Sequence, residues 1–189
     1  MCAVVLGELP FQTHGKALSS VHLIALYPRQ QSAVSLSELL AKHERIILDF
    51  VSARCQHSCA QLASIKSALR RKGRDARVGG DFSVLAIVFV GKSLSEIRRF
   101  LKSEALPVLV LWDKEGKLAQ SLEIKATPTI AVLSRDYRLL MSYEGFLPHN
   151  SKRYREFFER LMKAVTQGNP LPPRPVEFSF GDSGCSPSG

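Results

Sequence analysis

Arg45-Ile46-Ile47-Leu48-Asp49-Phe50-Val51, continued by Ser52-Ala53-Arg54-Cys55-Gln56-His57-Ser58-Cys59, is the stretch that decides the fold. A near-continuous apolar run of this length suits a strand buried on both faces. Asp49 alone interrupts it. Alternation along a strand puts Asp49 on the face opposite Leu48 and Phe50, so its burial depends on a helix covering that face. A polar loop then carries Cys55. Beyond it, Leu62, Ile65 and Leu69 recur at helical spacing, with Lys66, Arg70 and Arg71 between them. That spacing predicts a helix with one apolar stripe. The order is strand, cysteine loop, helix.

The same alternation extends in both directions. Upstream, Val21–Tyr27 reads as a first strand ended by Pro28, then a polar loop. A short helix follows over 35–42, with Ser35 as N-cap and Glu38 three residues on. Downstream, 83–90 is a second buried strand. A helix over 93–102 follows, where Ser93 and Glu96 fit a capping box. A third strand spans 107–112, and Asp113-Lys114-Glu115-Gly116 is a turn into a short helical piece ending at Leu122. Strands over 129–133 and 138–143 flank a turn at Ser134-Arg135-Asp136. A last amphipathic helix covers 151–165. Strands alternating with helices predict an α/β fold with a parallel core, and the late hairpin makes the central sheet mixed, with helices on both faces. The organisation expected is an irregular lead-in over 1–20, one domain over 21–166, and a disordered tail rich in Pro, Gly and Ser over 167–189.

With 189 residues the chain is long enough to bury a useful core. No apolar run approaches the ~18 residues of a membrane helix, so no transmembrane segment is expected. The net charge is +9. The charge is spread, with groups of basic residues on three amphipathic helices, six of them between Lys66 and Arg77, which reads as solvated helix faces rather than a nucleic-acid surface. The cysteines are Cys2, Cys55, Cys59 and Cys185. This is no disulfide scaffold, and the close pair points to redox chemistry or metal binding. The N-terminus shows no complete signal peptide. Cys2 reads as incidental, or as a lipid-attachment site if a leader was trimmed.

Cys55 sits where a helix begins. The N–H groups and the positive dipole end there favour a thiolate, and Arg54 and His57 add positive charge beside it. A thiolate so placed is a nucleophile or a soft metal ligand. Cys59 lies at i+4, with Cα atoms ~6 Å apart if both residues are helical. A disulfide tolerates up to ~6.8 Å, so closure is near its limit. Asp49, if buried, has a raised pKa and can give or take a proton. Thr127-Pro128-Thr129 leads into an apolar strand, a common place for proline and a candidate cis bond.

Together these residues resemble the thioredoxin superfamily, and within it the TlpA/ResA-like thiol-disulfide oxidoreductases, over roughly residues 26–165. Leu48-Asp49-Phe50 and Cys55 resemble the strand and nucleophile of the family's active site, with Asp49 where thioredoxins have a buried acid. Ala126-Thr127-Pro128-Thr129 resembles the cis-proline loop facing that cysteine. Ser35-Leu36-Ser37-Glu38-Leu39 and Tyr143-Glu144-Gly145-Phe146 resemble flanking elements. The family pattern is Trp-Cys-x-x-Cys. Here Arg54 replaces the Trp, Ser58 holds the second cysteine position, Gln61 replaces a frequent Glu, and Ala63 replaces a helix-kinking Pro. The resemblance implies a thioredoxin-like fold and thiol-disulfide exchange, with Cys55, Cys59, Asp49 and Pro128 catalytic. Thr127, Arg54 and His57 would contact substrate. It also implies protein thiol or disulfide substrates or a redox partner, no cofactor, and a periplasmic or exported setting. Three alternatives stand beside an unusual Cys-x-x-x-Cys couple. Cys55 acts alone as a monothiol; Cys55 and Cys59 bind copper, as in Sco-type chaperones, with His57 or His149 as a further ligand; or the domain is a redox-inactive interaction module.

Overall fold

A computed structural model describes residues 18–27, 32–75, 84–91, 93–103, 106, 108–145 and 152–175. Strand β1 (His22–Tyr27) pairs antiparallel with β2 (Ser32–Ser35), which runs straight into helix α1 (Leu36–Leu40). Ser35 is the pivot. Its hydroxyl accepts the Glu38 N–H while the Glu38 carboxylate accepts the Ser35 N–H, a complete capping box. Next come β3 (Arg45–Val51), α2 (Gln56–Asp75), β4 (Leu85–Val90) and α3 (Leu94–Ser103). Strand β5 (Leu109–Asp113), α4 (Lys117–Ser121), the hairpin β6 (Thr129–Ser134) and β7 (Leu139–Glu144), and α5 (Lys152–Gln167) complete the chain.

The seven strands form one sheet in the order β2-β1-β5-β4-β3-β6-β7. Strands β3, β4 and β5 are parallel neighbours, and β1 and β6 flank them antiparallel. The α/β class and the mixed sheet therefore agree with the reading of the sequence. Strand β2 does not. The sequence predicts a polar loop there, because four residues with two serines carry too little alternation to mark a strand.

Apolar residues of the central strands go alternately to two cores. Ile47, Val51, Ile87, Phe89 and Val110 meet Leu62, Ile65 and Leu69 of α2, Ile97 of α3, and Phe157, Phe158 and Leu161 of α5. Leu48, Phe50, Val88, Leu111 and Leu133 meet Leu36 and Leu40 of α1 and Leu118 of α4. Helices thus cover both faces, and the face that carries Asp49 is the one under α2 and α5. At the end of β5 the Asp113 carboxylate accepts the Ala119 N–H at 2.9 Å, which fixes the turn into α4. Gly116 in that turn has φ of +69°, a conformation that favours glycine.

The tail divides in two. Residues 168–175 lie against the domain rather than being disordered. Leu171 packs on the first core, the Tyr143 hydroxyl donates to the Pro172 carbonyl at 3.2 Å, and the Arg174 guanidinium donates to the Glu144 carbonyl at 3.0 Å. An apolar side chain and a guanidinium with specific partners outweigh the breaker residues around them. The remainder of the expected tail, and residues 1–17 of the lead-in, lie outside the described residues. Phe157 is wholly buried, and its ring lies 5.9 Å from that of Tyr143. Phe157→Ala should cost about 3–5 kcal/mol of stability in urea titrations, the usual cost of emptying such a site. A loss below about 1 kcal/mol would show that α5 is not seated on the sheet as described.

Candidate active site at the end of β3

Strand β3 delivers the cysteine loop to the C-terminal ends of the parallel strands, the position where open α/β sheets hold their sites. The Cys55 N–H donates to the Ser52 carbonyl at 3.1 Å, closing a tight turn, and Gln56 opens α2. The Cys59 N–H donates to the Cys55 carbonyl at 3.1 Å, so the first helical turn is regular. Ser58 is buried, and its hydroxyl accepts the Ser52 N–H at 3.2 Å. The residue in the resemblance's second cysteine position therefore ties the strand end to the helix start.

Register brings the second half of the site. Phe50 of β3 pairs with Thr129 of β6 in an antiparallel ladder. Thr127 and Pro128, just before that pair, consequently lie beyond the end of β3, where the cysteine loop turns back. The Thr127–Pro128 peptide bond is cis. Cys55 Sγ sits 3.4 Å from the Thr127 carbonyl oxygen, and both residues are buried. The Thr129 hydroxyl donates to the Ala126 carbonyl at 2.8 Å, and the Gly145 N–H donates to the Pro128 carbonyl at 3.0 Å. The loop is held from both sides.

Cys55 is in a disulfide, and Cys59 is not. The expected Cys55–Cys59 bond is therefore not formed. The regular first turn explains this, because i+4 closure near its distance limit would need that turn to distort. Copper ligation finds no support here either. Among the described residues no group of three or more His, Cys, Asp and Glu is arranged to hold a metal, a disulfide sulfur offers no thiolate, and His149 lies outside the described residues.

Arg54, expected to lend its charge to Cys55 and to substrate, is instead engaged by α3. Its Nε and Nη2 donate to the two carboxylate oxygens of Glu96 at 2.8 and 2.7 Å. The pair is largely exposed and adds little stability. It forms part of the rim of an open cleft of about 900 Å³, bordered by Ser52, Ala53, Gly91, Leu94 and Ile124. His57, the second residue of α2, is half-buried.

Asp49 is fully buried. Its Oδ1 accepts from Gln61 Nε2 at 2.5 Å, while Asp49 Oδ2 and Gln61 Oε1 have no hydrogen-bond partner among the described residues. Burial pushes the Asp49 carboxyl up to about 8, against a lowering by Gln61. The side chain is therefore mostly protonated at neutral pH. Sequence reasoning missed the parts of Ser58, Gln61 and Glu96. For Ser58 and Gln61 the signal was present, since both mark departures from the resembled pattern, whereas Glu96 is 42 residues from its partner.

No family model matches the sequence, and no curated protein matches it either. Solved structures do match. A protein of Sinorhizobium meliloti is similar at a TM-score of 0.60 and 19% identity, covering 88% of each chain. StoA of Bacillus subtilis gives 0.54 and 19%, over 74% of this chain and 97% of that one. A secreted Mycobacterium tuberculosis disulfide oxidoreductase, homologous to DsbE of E. coli, gives 0.53 and 12%, over 74% and 92%. The fold is thioredoxin-like. At these identities the likeness speaks for architecture, and no described helix is long and apolar enough to cross a membrane.

The buried carboxyl makes a pH prediction with a definite sign. Native Asp49 holds its proton up to about pH 8, whereas an unfolded Asp releases it near ~3.9. Between those values the native state binds more protons, so this contribution is fully present below pH ~4 and is lost as pH rises through about 8. Relative to Asp49→Asn, the wild type should lose stability across that window, by at most about 6 kcal/mol. Urea midpoints of both proteins from pH 4 to 9 check this. Parallel curves would mean that Asp49 is ionised in the native state.

Proposed function

We propose that this chain carries out thiol-disulfide exchange through Cys55, acting on protein thiols or disulfides or on a protein redox partner. The observation that carries the reading is the state and seat of Cys55. It is disulfide-bonded at the start of α2, with Sγ 3.4 Å from the Thr127 carbonyl beside Pro128. In the reduced state the positive dipole end at the start of α2 favours the thiolate, and a protonated Cys55 can donate to the Thr127 carbonyl instead. The thiolate attacks a substrate disulfide in line. One substrate sulfur becomes bonded to Cys55 and the other leaves as thiolate, and a second thiol then displaces the first from Cys55. Run in reverse, the same steps oxidise a dithiol. The open cleft between Arg54–Glu96 and Gly91 gives an extended substrate segment access to this end of the sheet. Protonated Asp49, on the strand that leads to Cys55, is the proton reservoir in this reading. The nearness of the fold to oxidoreductases of known structure supports it.

Cys55→Ser tests the proposal. Reduction of a model protein disulfide by the pre-reduced chain should fall to background, with the urea midpoint of the reduced protein almost unchanged. Retained activity would place the reaction elsewhere. A copper or purely scaffolding role would leave even the wild type inactive in this assay.

A further inference from the structure

We propose that the outer face built by α2, α3 and α5 docks on an anionic lipid surface through two stripes of basic side chains. All three helices pack on one core, against one face of the sheet. Helix α2 crosses from β3 to β4, α3 crosses from β4 to β5, and α5 lies beside α2 over β3. Their order across that face is therefore α3, α2, α5. The net charge of +9 lies in separate groups along the sequence, and this packing draws three of those groups onto one side of the domain.

The side chains turned away from the core are basic at helical spacing. On α3, Leu94, Ile97 and Leu101 face the core, and Arg98, Arg99 and Lys102 are exposed. On α5, Tyr154, Phe157 and Leu161 are buried, and Arg153, Arg160 and Lys163 are exposed along one stripe. The acids on these helices are already matched. Glu96 of α3 holds Arg54 with both oxygens. Glu156 and Glu159 of α5 follow Lys152 and Arg155 by four positions, and Lys152 reaches Glu156 at 3.8 Å. Between the two stripes, residues 56–69 of α2 include Lys66 and no acid, and the exposed Ala63 and Ser67 there are short. Away from these helices the pattern differs. Lys117 pairs with Glu115, Arg135 with Glu44 and Arg138 with Asp136, each at 2.6 Å.

This geometry selects the partner. Neighbouring helices in a packed layer lie about 8–10 Å apart, so stripes on either side of α2 stand roughly 20 Å from one another. A phosphate backbone is a line of charge and follows one stripe. A leaflet of anionic headgroups is a plane and meets both stripes at once. Helices laid on a sheet also present no protruding element to a nucleic-acid groove. The apolar residues of α3 and α5 are committed to the core, so nothing inserts among the acyl chains and contact is by charge alone. Cys55 and its cleft lie at the strand ends rather than on this outer face, so a docked protein keeps the cleft open.

Co-sedimentation of the full chain with vesicles tests this. At about 0.1 M salt, vesicles of phosphatidylcholine and phosphatidylserine in roughly a 2:1 ratio should bind the wild type, and phosphatidylcholine alone should not. Salt at about 1 M, which shortens screening to ~3 Å, should release it. The triple variant Arg98→Gln, Arg99→Gln, Lys102→Gln should bind about 100-fold more weakly, at about fivefold for each lost charge. A second triple variant, Arg153→Gln, Arg160→Gln, Lys163→Gln, should lose as much by the same reasoning. Lys42→Gln, Lys117→Gln, Lys125→Gln removes equal charge from exposed positions on and beside α1 and α4, on the other side of the sheet. It should weaken binding less than about fivefold, because those positions lie beyond the Debye length from a docked leaflet. Equal losses in all three variants would mean that net charge alone attracts lipid, and would overturn the oriented face. Absence of binding, or equal binding to neutral vesicles, overturns it as well. Tighter binding to a short DNA duplex or to poly-glutamate than to the vesicles would assign the face to a soluble polyanion and overturn the lipid reading.

Discussion

The antiparallel register between β3 and β6 is the constraint on which the site depends. Phe50 opposite Thr129 fixes where both strands end, and therefore fixes that Thr127 and Cys55 meet. A slip of one residue would exchange the faces of β3, exposing Asp49 to one core and Phe50 to the other. The two cores hold the register. Ile47 and Val51 are committed to α2 and α5, while Leu48 and Phe50 are committed to α1 and α4. Helix α2 then begins at Gln56, and Ser58 and Ser52 stitch strand to helix. Packing on both faces of one strand thus determines the chemistry at its end.

Asp49 is the cost of that arrangement. A carboxyl in a dry core is tolerated when protonated, and the single amide contact from Gln61 cannot sustain the anion there. A glutamine in place of an acid changes the character of the pair. Gln61 offers a donor and an acceptor with no second charge, so Asp49 has no carboxylate neighbour in the pair to repel it. Burial, and not like-charge repulsion, sets its proton affinity.

The sequence made the strands legible wherever both faces are buried, because an apolar run of 46–51 or 84–90 admits few other readings. Helices announced themselves by stripe and cap, and Ser35 with Glu38 is an example. Strand β2 escaped because its edge position demands little hydrophobic pattern. The cysteine loop, Asp49 and the Thr127–Pro128 turn were legible as candidates, yet their meeting was not. The Cys55–Thr127 contact spans 72 residues and follows from register alone. The same holds for Arg54, whose charge looked available to Cys55 until α3 brought Glu96 beside it. Proximity in sequence likewise made Cys59 the obvious partner for Cys55, whereas the regular first turn of α2 sets against that bond. Anchoring of 168–175 was hidden by its breaker-rich composition.

The central claim is that redox change resides in Cys55 and not in a Cys55–Cys59 couple. Equilibration of the full chain in glutathione buffers of graded potential, with thiol occupancy read at each cysteine by differential alkylation, tests it most directly. The account predicts that Cys55 switches in one two-electron step, tenfold in the oxidised-to-reduced ratio for about every 30 mV, while Cys59 stays a thiol throughout. Cys55 and Cys59 switching together, or Cys55 remaining reduced across the whole range, would contradict it.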